Sequence, residues 1–394
     1  MSSLKYWLWL SDAAKLSVRA KEELLKHYGS PENMFSAPKG EYEVLAGRKL
    51  EGLEALEARD LSSALRIMDE CERQGIRIIS IQDAAYPDRL RNIYAPPTVL
   101  YVKGELPPVD DEVTIALIGT RKCTPYGLKI AEKLGSEIAE CGGIVVSGLT
   151  MGIEAAGAEG ALRAGGKVIG VLGTSHEEAK SRLAQSVAAS GALVSEYPPG
   201  AGSYRSNFRA RNRISAGLSL GVAVVEAPEQ SNTRLFVNEA AEQGKEIFAV
   251  PGNADAYNCR GTNAMIKEGA TAVTEGWEIV REFAKLYPDR VRRPSPPTKK
   301  SERPAPVKAE KQPESTKKVI DKRSDAEYID LQKLSPTQQA IVSVMDKRSQ
   351  HVDEIIARSG FPPAKVLADL TLLQLNGTVI QESGKRFTLN TKIK

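Results

Sequence analysis

Six short apolar runs, TIALIG, GIVVSG, KVIGVLG, GALVSEY, GVAVVEA and EIFAVPG, lie between residues 111 and 285 and alternate with helix-patterned stretches. Runs rich in β-branched residues, each followed by a helix, call for crossovers between parallel strands covered on both faces. The sequence therefore predicts an α/β fold built on a doubly wound, Rossmann-like parallel sheet. Two flanking patterns complete it. Helical periodicity dominates residues 1–80, and three helical segments followed by two strand-like runs close the chain in a winged-helix pattern. The expected layout is a small helical domain (SAM-like or helix-hairpin-helix-like) over 1–80, a Rossmann-like domain over 81–285, a disordered linker over 286–330 and a winged-helix domain over 331–394.

In order along the chain, LKYWLWLSDAAKLSVRAKEELLKHYGS and KGEYEVLAGRKLEGLEALEARDLSSALRIMDECERQG carry the first helices, broken around 29–31 and 38–40 by Gly and Pro. Next, GIRIISIQDAAYPDRLRNIYAPPTVLYVKGEL holds two strand-like runs, with Pro96 and Pro97 forcing an extended segment before the second. The stretch from Pro288 onward, PDRVRRPSPPTKKSERPAPVKAEKQPESTKKVIDKRSD, is rich in Pro, Lys and Ser and has too few large apolar residues to bury a core. In the last module the helix-turn-helix would be VDEIIARSG, a turn at 360–362, and AKVLADLTLLQLNG, with the strands on either side of Ser383 and Gly384.

At 394 residues the chain exceeds one ordinary core, and 41% hydrophobic with 26% charged residues is the composition of a globular protein. No apolar run is long enough for a membrane span, and YWLWL lacks the flanks of a secretory signal, so the cytoplasm is the expected location. Cys71, Cys123, Cys141 and Cys259 form no CxxC pair, which argues against disulfides and zinc and predicts buried thiols; the three histidines fall in three segments. The net charge of +4 is uneven: residues 285–324 hold thirteen Lys or Arg against five Asp or Glu, leaving the remainder net acidic. Only local clusters can then support a nucleic-acid reading.

The densest cluster is SYRSNFRARNR, residues 203–213, four arginines with a tyrosine and a phenylalanine, and no Asp or Glu occurs between Glu196 and Glu226. On a helix turning ~100° per residue, Ala210, Ile214, Gly217 and Leu218 share one face. Phe208, Asn212 and Arg205 lie opposite, Arg209 and Arg213 on one flank, and Arg211 on the other beside Phe208. Two readings stay open. Either an exposed ring stacks on a nucleobase while guanidiniums hold phosphates, or Phe208 packs under a neighbouring loop and the arginines pair with acids.

The loops after the strands supply the rest of a polar rim, where doubly wound folds bind ligands. In GTRKCTPYG, Gly119 allows close backbone approach, Thr124 can cap a helix beginning at Pro125, and free amides there favour an anion, with Arg121 and Lys122 adding charge. No GxGxxG follows, so a dinucleotide is not expected. SGLTMG brings Ser147 and Gly148; APEQSNTRLF brings Ser231, Asn232 and Thr233; PGNADAYNCRGTN brings Gly252 and Gly261.

The ordered series YPDRL, APPTVLYVKG, ALIGTRKCTPYG, VVSGLTMGIEAAGAEGAL, LVSEYPPG, FRARNRISAG, VVEA, AVPG and GTNAMIKEGA, spread between Tyr86 and Trp277, resembles the DNA-processing protein A (DprA, Smf) family. The resemblance implies a protein that binds and protects incoming single-stranded DNA in natural transformation and recombination and needs no nucleotide cofactor; no pair of carboxylates or nucleophile with an adjacent base stands out, so no catalysis is expected. The resemblance also implies loading of the RecA recombinase and a homodimer formed through the Rossmann-like domain. Matched motifs assign DNA contacts to Gly119, Thr120 and Arg121, to Ser147 and Gly148, and to Arg205, Phe208, Arg211 and Asn212, with Arg121 and Arg205 on phosphates and Phe208 on a base. Three departures stand out. The family's GIDxxAH reads GIEAAGA, with Ala158 in the histidine's place, which removes the expectation of a polar role there; GLDxxYP is missing after VLGT; and SGSLxTA is replaced by SNTRLFVNEA, with Arg234 inside the helix.

Two rival functions remain. One is a nucleotide-processing enzyme of the phosphoribohydrolase type, using Arg234 and Glu239, against which PEQSNT lacks the glycines of a PGGxGT phosphate loop. The other is a transcription factor reading through the winged helix, whose would-be recognition helix carries a single basic residue, Lys365.

Overall fold

The computed structural model describes residues 3–13, 16–38, 40–42, 52–293, 328–329, 334–345, 348–376, 378–382, 386–389 and 392–393. The chain divides into two units, Met1–Ser301 and Glu302–Lys394.

The first unit opens with α1 (Leu4–Asp12), α2 (Val18–Tyr28), α3 (Pro31–Ser36), α4 (Leu53–Glu57) and α5 (Ser62–Gln74). Local chemistry sets these limits. Ser17 and Ser30 cap α2 and α3 by accepting the amides of Ala20 and Asn33, and Gly29, at φ 74°, ends α2 in the left-handed conformation. Trp7, Leu8, Trp9, Leu10, Leu24, Met34 and Leu56 form a core that also takes in Ile76, Val99 and Tyr101 of the adjoining strands. The helical region thus shares its interior with one edge of the sheet. Residues 43–51, part of the second helical stretch, lie outside the described residues.

The sheet and its helices follow as β1 (Ile76–Ser80), α6 (Asp88–Arg91), β2 (Val99–Gly104), β3 (Thr114–Ile118), α7 (Pro125–Glu140), β4 (Ile144–Ser147), α8 (Ile153–Arg163), β5 (Val168–Leu172) and α9 (Arg182–Ser190). Next come β6 (Ala192–Ser195), α10 (Arg205–Gly217), β7 (Gly221–Val224), α11 (Asn232–Glu242), β8 (Glu246–Ala249), α12 (Arg260–Lys267), β9 (Thr271–Ala272) and α13 (Gly276–Val280). All six expected apolar runs are strands. Nine strands pair in the order β1-β2-β6-β5-β4-β3-β7-β8-β9. Pairings from β6 through to β9 are parallel, whereas β2 runs antiparallel to β6 and to β1. The two-residue β9 has no signature in the sequence because it is too short to show alternation.

Each face of the sheet is sealed by its own apolar layer, one including Val146, Val171, Ile214 and Val222, the other Ile115, Leu117, Leu134 and Val145. From β3 the chain builds outward through β4, β5 and β6, then returns to lay β7 against the other side of β3. The loops leaving β3 and β7 therefore diverge, which opens a crevice at the carboxyl ends of the strands.

Residues 286–293, read from composition as the start of the linker, instead pack on the body: Arg292 N–H donates to the Cys141 carbonyl at 3.0 Å and Arg89 Nη2 to the Tyr287 hydroxyl at 3.0 Å. The rest of that stretch up to 327 lies outside the described residues.

The second unit contains β10 (Tyr328–Ile329), α14 (Pro336–Val344), β11 (Gln350–His351), α15 (Val352–Ser359), α16 (Pro363–Leu375), β12 (Val379–Glu382), β13 (Arg386–Leu389) and β14 (Lys392–Ile393). Ile341, Ile355, Val366, Leu370, Leu373 and Phe387 fill its core, and Gly360, at φ 71°, makes the turn between α15 and α16. Three helices and a β12–β13 hairpin make the expected winged helix; its turn at Ser383 and Gly384 falls outside the described residues. Among the described residues no helix is long and apolar enough to cross a membrane. Cys71, Cys141 and Cys259 are buried thiols as expected, and Cys123 is half-buried.

Candidate nucleic-acid interface

At the exit of β3 the backbone turns sharply into α7. Thr124 caps the helix, its Oγ1 accepting the Gly127 amide at 3.0 Å, and Pro125 takes the first helical position, as the sequence predicts. The anion expected at this helix end is supplied by the protein itself. The Glu226 carboxylate, 2% exposed, accepts Thr124 N–H at 2.8 Å and Thr124 Oγ1–H at 2.5 Å, and Asn258 Nδ2 donates to it at 3.3 Å. A side chain at Gly127 would strike that carboxylate, so glycine is required there. The helix end is thereby closed to an external phosphate, and Arg121 and Lys122 are exposed in the loop with no carboxylate partner among the described residues.

The loop after β4 is organised from within. Ser147, 1% exposed, donates its hydroxyl to the Glu154 carbonyl at 2.9 Å and accepts Leu149 N–H at 3.1 Å, bracing a turn in which Leu149 adopts φ 55°. Glu154 in turn accepts Thr150 Oγ1–H at 2.5 Å and reaches the Arg211 guanidinium at 3.5 Å, both side chains being almost wholly buried. Arg211 Nη1 also donates to the Gly148 carbonyl at 3.3 Å. A Cβ at position 148 would stand 2.1 Å from that nitrogen, which is why the turn needs glycine. Ala158, in the histidine's place, is buried in the apolar layer and has no polar role, as expected, while Glu154 of the same motif neutralises Arg211.

Helix α10 begins at Arg205; of the predicted inner face Ile214, Gly217 and Leu218 are buried and Ala210 only half-buried, whereas Asn207 and Arg211, the latter expected on the flank beside Phe208, are buried with them. Arg213 is held by Glu196 at 2.5 Å. Arg205 and Arg209, one turn apart, remain exposed with no carboxylate partner among the described residues. Phe208 is half-buried rather than fully exposed, its ring packed on the backbone of Gly173 after β5.

These elements enclose a pocket of about 420 Å³ at the crevice, lined by Gly119, Arg121, Arg205, Phe208, Arg211 and Asn212 together with residues from α11. Six of the nine sequence-predicted residues therefore converge. Thr120, Ser147 and Gly148 do not line it: Thr120 N–H is tied to the Glu226 carbonyl at 2.8 Å, and the other two hold Glu154 and Arg211 in place. Sequence reasoning missed Thr150, Glu154 and Glu226, and it placed Arg209 on the helix flank without assigning it a contact. Arg209 was findable, being four residues from Arg205 on one helical face, whereas nothing local links Glu154 to a partner 57 residues away.

The rival pair is not assembled. Arg234 is bonded to Glu268, while Glu239 accepts Gln243 Nε2–H at 3.1 Å.

Residues 77–284 match the family described as DNA recombination-mediator protein A, more than half of the chain. The chain belongs to this family. Residues 329–385 match the DprA winged helix domain, in agreement with the second unit. The DNA processing protein DprA of Bacillus subtilis is 36% identical over 222 residues, 55% of this chain and 75% of that protein. The Protein Smf of Synechocystis is 27% identical over 405 residues, 98% of both. Among solved structures, DNA processing protein A of Streptococcus pneumoniae superposes with a TM-score of 0.62 at 30% identity, covering 72% of this chain and 99% of that one. The region shared with the recombination-mediator family contains the whole pocket, so the crevice lies in the part of the chain that defines membership.

Proposed function

We propose that this chain is a single-stranded-DNA-binding recombination mediator whose strand enters the crevice between the exits of β3 and β7. The observation that carries the reading is the pairing state of the arginines. Arg121, Arg205 and Arg209 line the pocket without carboxylate partners among the described residues, while Arg211 beside them is neutralised by Glu154. Free guanidiniums facing solvent suit phosphates, and the half-buried Phe208 beside them offers a ring to a base splayed from its stack. A pocket of about 420 Å³ has room for an unstacked base, whose faces and edges a duplex keeps hidden.

Membership of the recombination-mediator family supports the finer assignments: protection of incoming DNA in the cytoplasm, loading of RecA, and action as a homodimer through the Rossmann-like domain, without catalysis. The pocket mouth supplies the strand-holding step that such loading requires.

Titration with single-stranded and duplex DNA of equal length is the test. Tighter binding of the single strand is expected, with affinity falling as salt rises in proportion to the phosphates held. Equal affinity for both forms, or affinity indifferent to salt, would refute the reading.

A further inference from the structure

Beyond the arginine-lined pocket, the carboxyl edge of the sheet continues across β7 to β8, and its character changes. Tyr126, second residue of α7, is 55% exposed, and Tyr257, in the loop between β8 and α12, is 65% exposed. Neither ring packs on another ring among the described residues. Large exposed aromatics are costly to leave in water, and these two stand beside the exits of β3 and β8, strands separated in the sheet only by β7.

The backbone that carries Tyr257 is braced. Asn258 Nδ2 donates to the Lys122 carbonyl at 2.9 Å, the Asn258 carbonyl accepts Ala227 N–H at 2.8 Å, and Gly261 N–H donates to the Ala227 carbonyl at 2.9 Å. These bonds tie the β8 exit to the exits of β3 and β7, so the ring is presented from a fixed support and loses little freedom on binding. Exposed acids appear on this side, Glu229 in the loop after β7 and Asp255 in the loop after β8, beside exposed Lys122 after β3 and Arg260 at the start of α12. The arginine side, by contrast, has free cations and no free acid in 203–213.

We propose that Tyr126 and Tyr257 form a second, stacking section of the same strand-binding track, taking bases of the unpaired strand as it leaves the arginine pocket. The proposal rests on the reading of that pocket as a single-strand site. Strands β3, β7 and β8 are consecutive in the sheet. At ~4.8 Å between strands the exits of β3 and β8 are about 10 Å apart, room for about three stacked nucleotides at ~3.4 Å each. Base-to-ring stacking is indifferent to sequence and nearly so to salt, so the track would have a salt-sensitive section and a salt-insensitive one.

The test compares oligothymidines of about four and about twelve nucleotides, with the full chain and with the variants Tyr126→Ala, Tyr257→Ala and Tyr257→Phe. The intact protein should prefer the longer strand. Each alanine variant should lose roughly five- to a hundredfold in affinity for the longer strand while keeping its affinity for the shorter one and an unchanged salt slope. Tyr257→Phe should behave as the intact protein, because the ring and not the hydroxyl does the work. Length preference that survives both alanine variants, or its absence in the intact protein, would overturn the stacking section and leave the pocket standing. Failure of the intact protein to bind the short strand at all would instead remove the pocket, and the stacking section with it.

Discussion

The outer and inner edges of α10 carry the same residue type in opposite states. Arg205 and Arg209 are exposed and, among the described residues, unpaired, whereas Arg211 and Arg213, further along the helix, are bonded to Glu154 and Glu196. Four arginines in eleven residues therefore do two jobs. Two are available to a ligand, and two fasten the helix to the loops after β4 and β6. A charge count cannot separate these roles; the position of the carboxylates does.

The largest expected effect breaks the inner edge. Glu154→Ala leaves Arg211 buried without its counter-charge and should lower stability by about 3–5 kcal/mol, read by urea denaturation; a loss below about 1 kcal/mol would mean that the pair behaves as a surface ion pair. Gly148→Ala places a methyl against the Arg211 guanidinium and should cost about 1–3 kcal/mol by the same measurement, and it should displace Arg211 without touching Arg205.

Lys21 and Lys245 sharpen the comparison, because they are half-buried cations with no carboxylate in bonding distance among the described residues. Burial pushes both ammonium groups down from 10.5 to about 8. Between pH 8 and 10.5 the unfolded chain holds protons that the native chain has released, so stability should rise with pH as that window opens. The rise, at most about 1.4 kcal/mol per pH unit for each lysine, is best read between pH 8 and 9, since the raised thiols of Cys71 and Cys141 oppose it above that range. Lys21→Met should remove roughly half of the slope; an unchanged slope would show that the ammonium is solvated.

The smallest effect on stability belongs to the outer edge. Arg121→Ala, Arg205→Ala and Arg209→Ala should each stay within about 0.5 kcal/mol of the parent. Each should nonetheless reduce the salt slope of single-strand binding by about 0.7. Destabilisation by any of them comparable to Glu154→Ala would erase the distinction between the two edges.

How much of this was legible in the sequence follows from the range of each interaction. The six core strands were visible because continuous apolar runs between helices report burial on both faces directly, and Thr124 with Pro125 announced a helix start within two residues. The arginine cluster was visible for the same reason, and its helical face in part: Ile214, Gly217 and Leu218 point inward as projected, but Arg211 joins them. Lost were the long-range partners. Glu226 closes the helix end at Thr124 from 102 residues away, and Glu154 meets Arg211 from 57 away. The half-burial of Phe208 depended on Gly173, a residue no helical projection includes.

Photocrosslinking of an oligothymidine to the full chain, with the modified peptides mapped, tests most directly whether the strand lies in the crevice. Crosslinks concentrated in 203–213 and 119–126, and weakened together by Arg205→Ala with Arg209→Ala, are expected. Crosslinks confined to the helices before residue 75 or to the winged helix, unaffected by those substitutions, would contradict it.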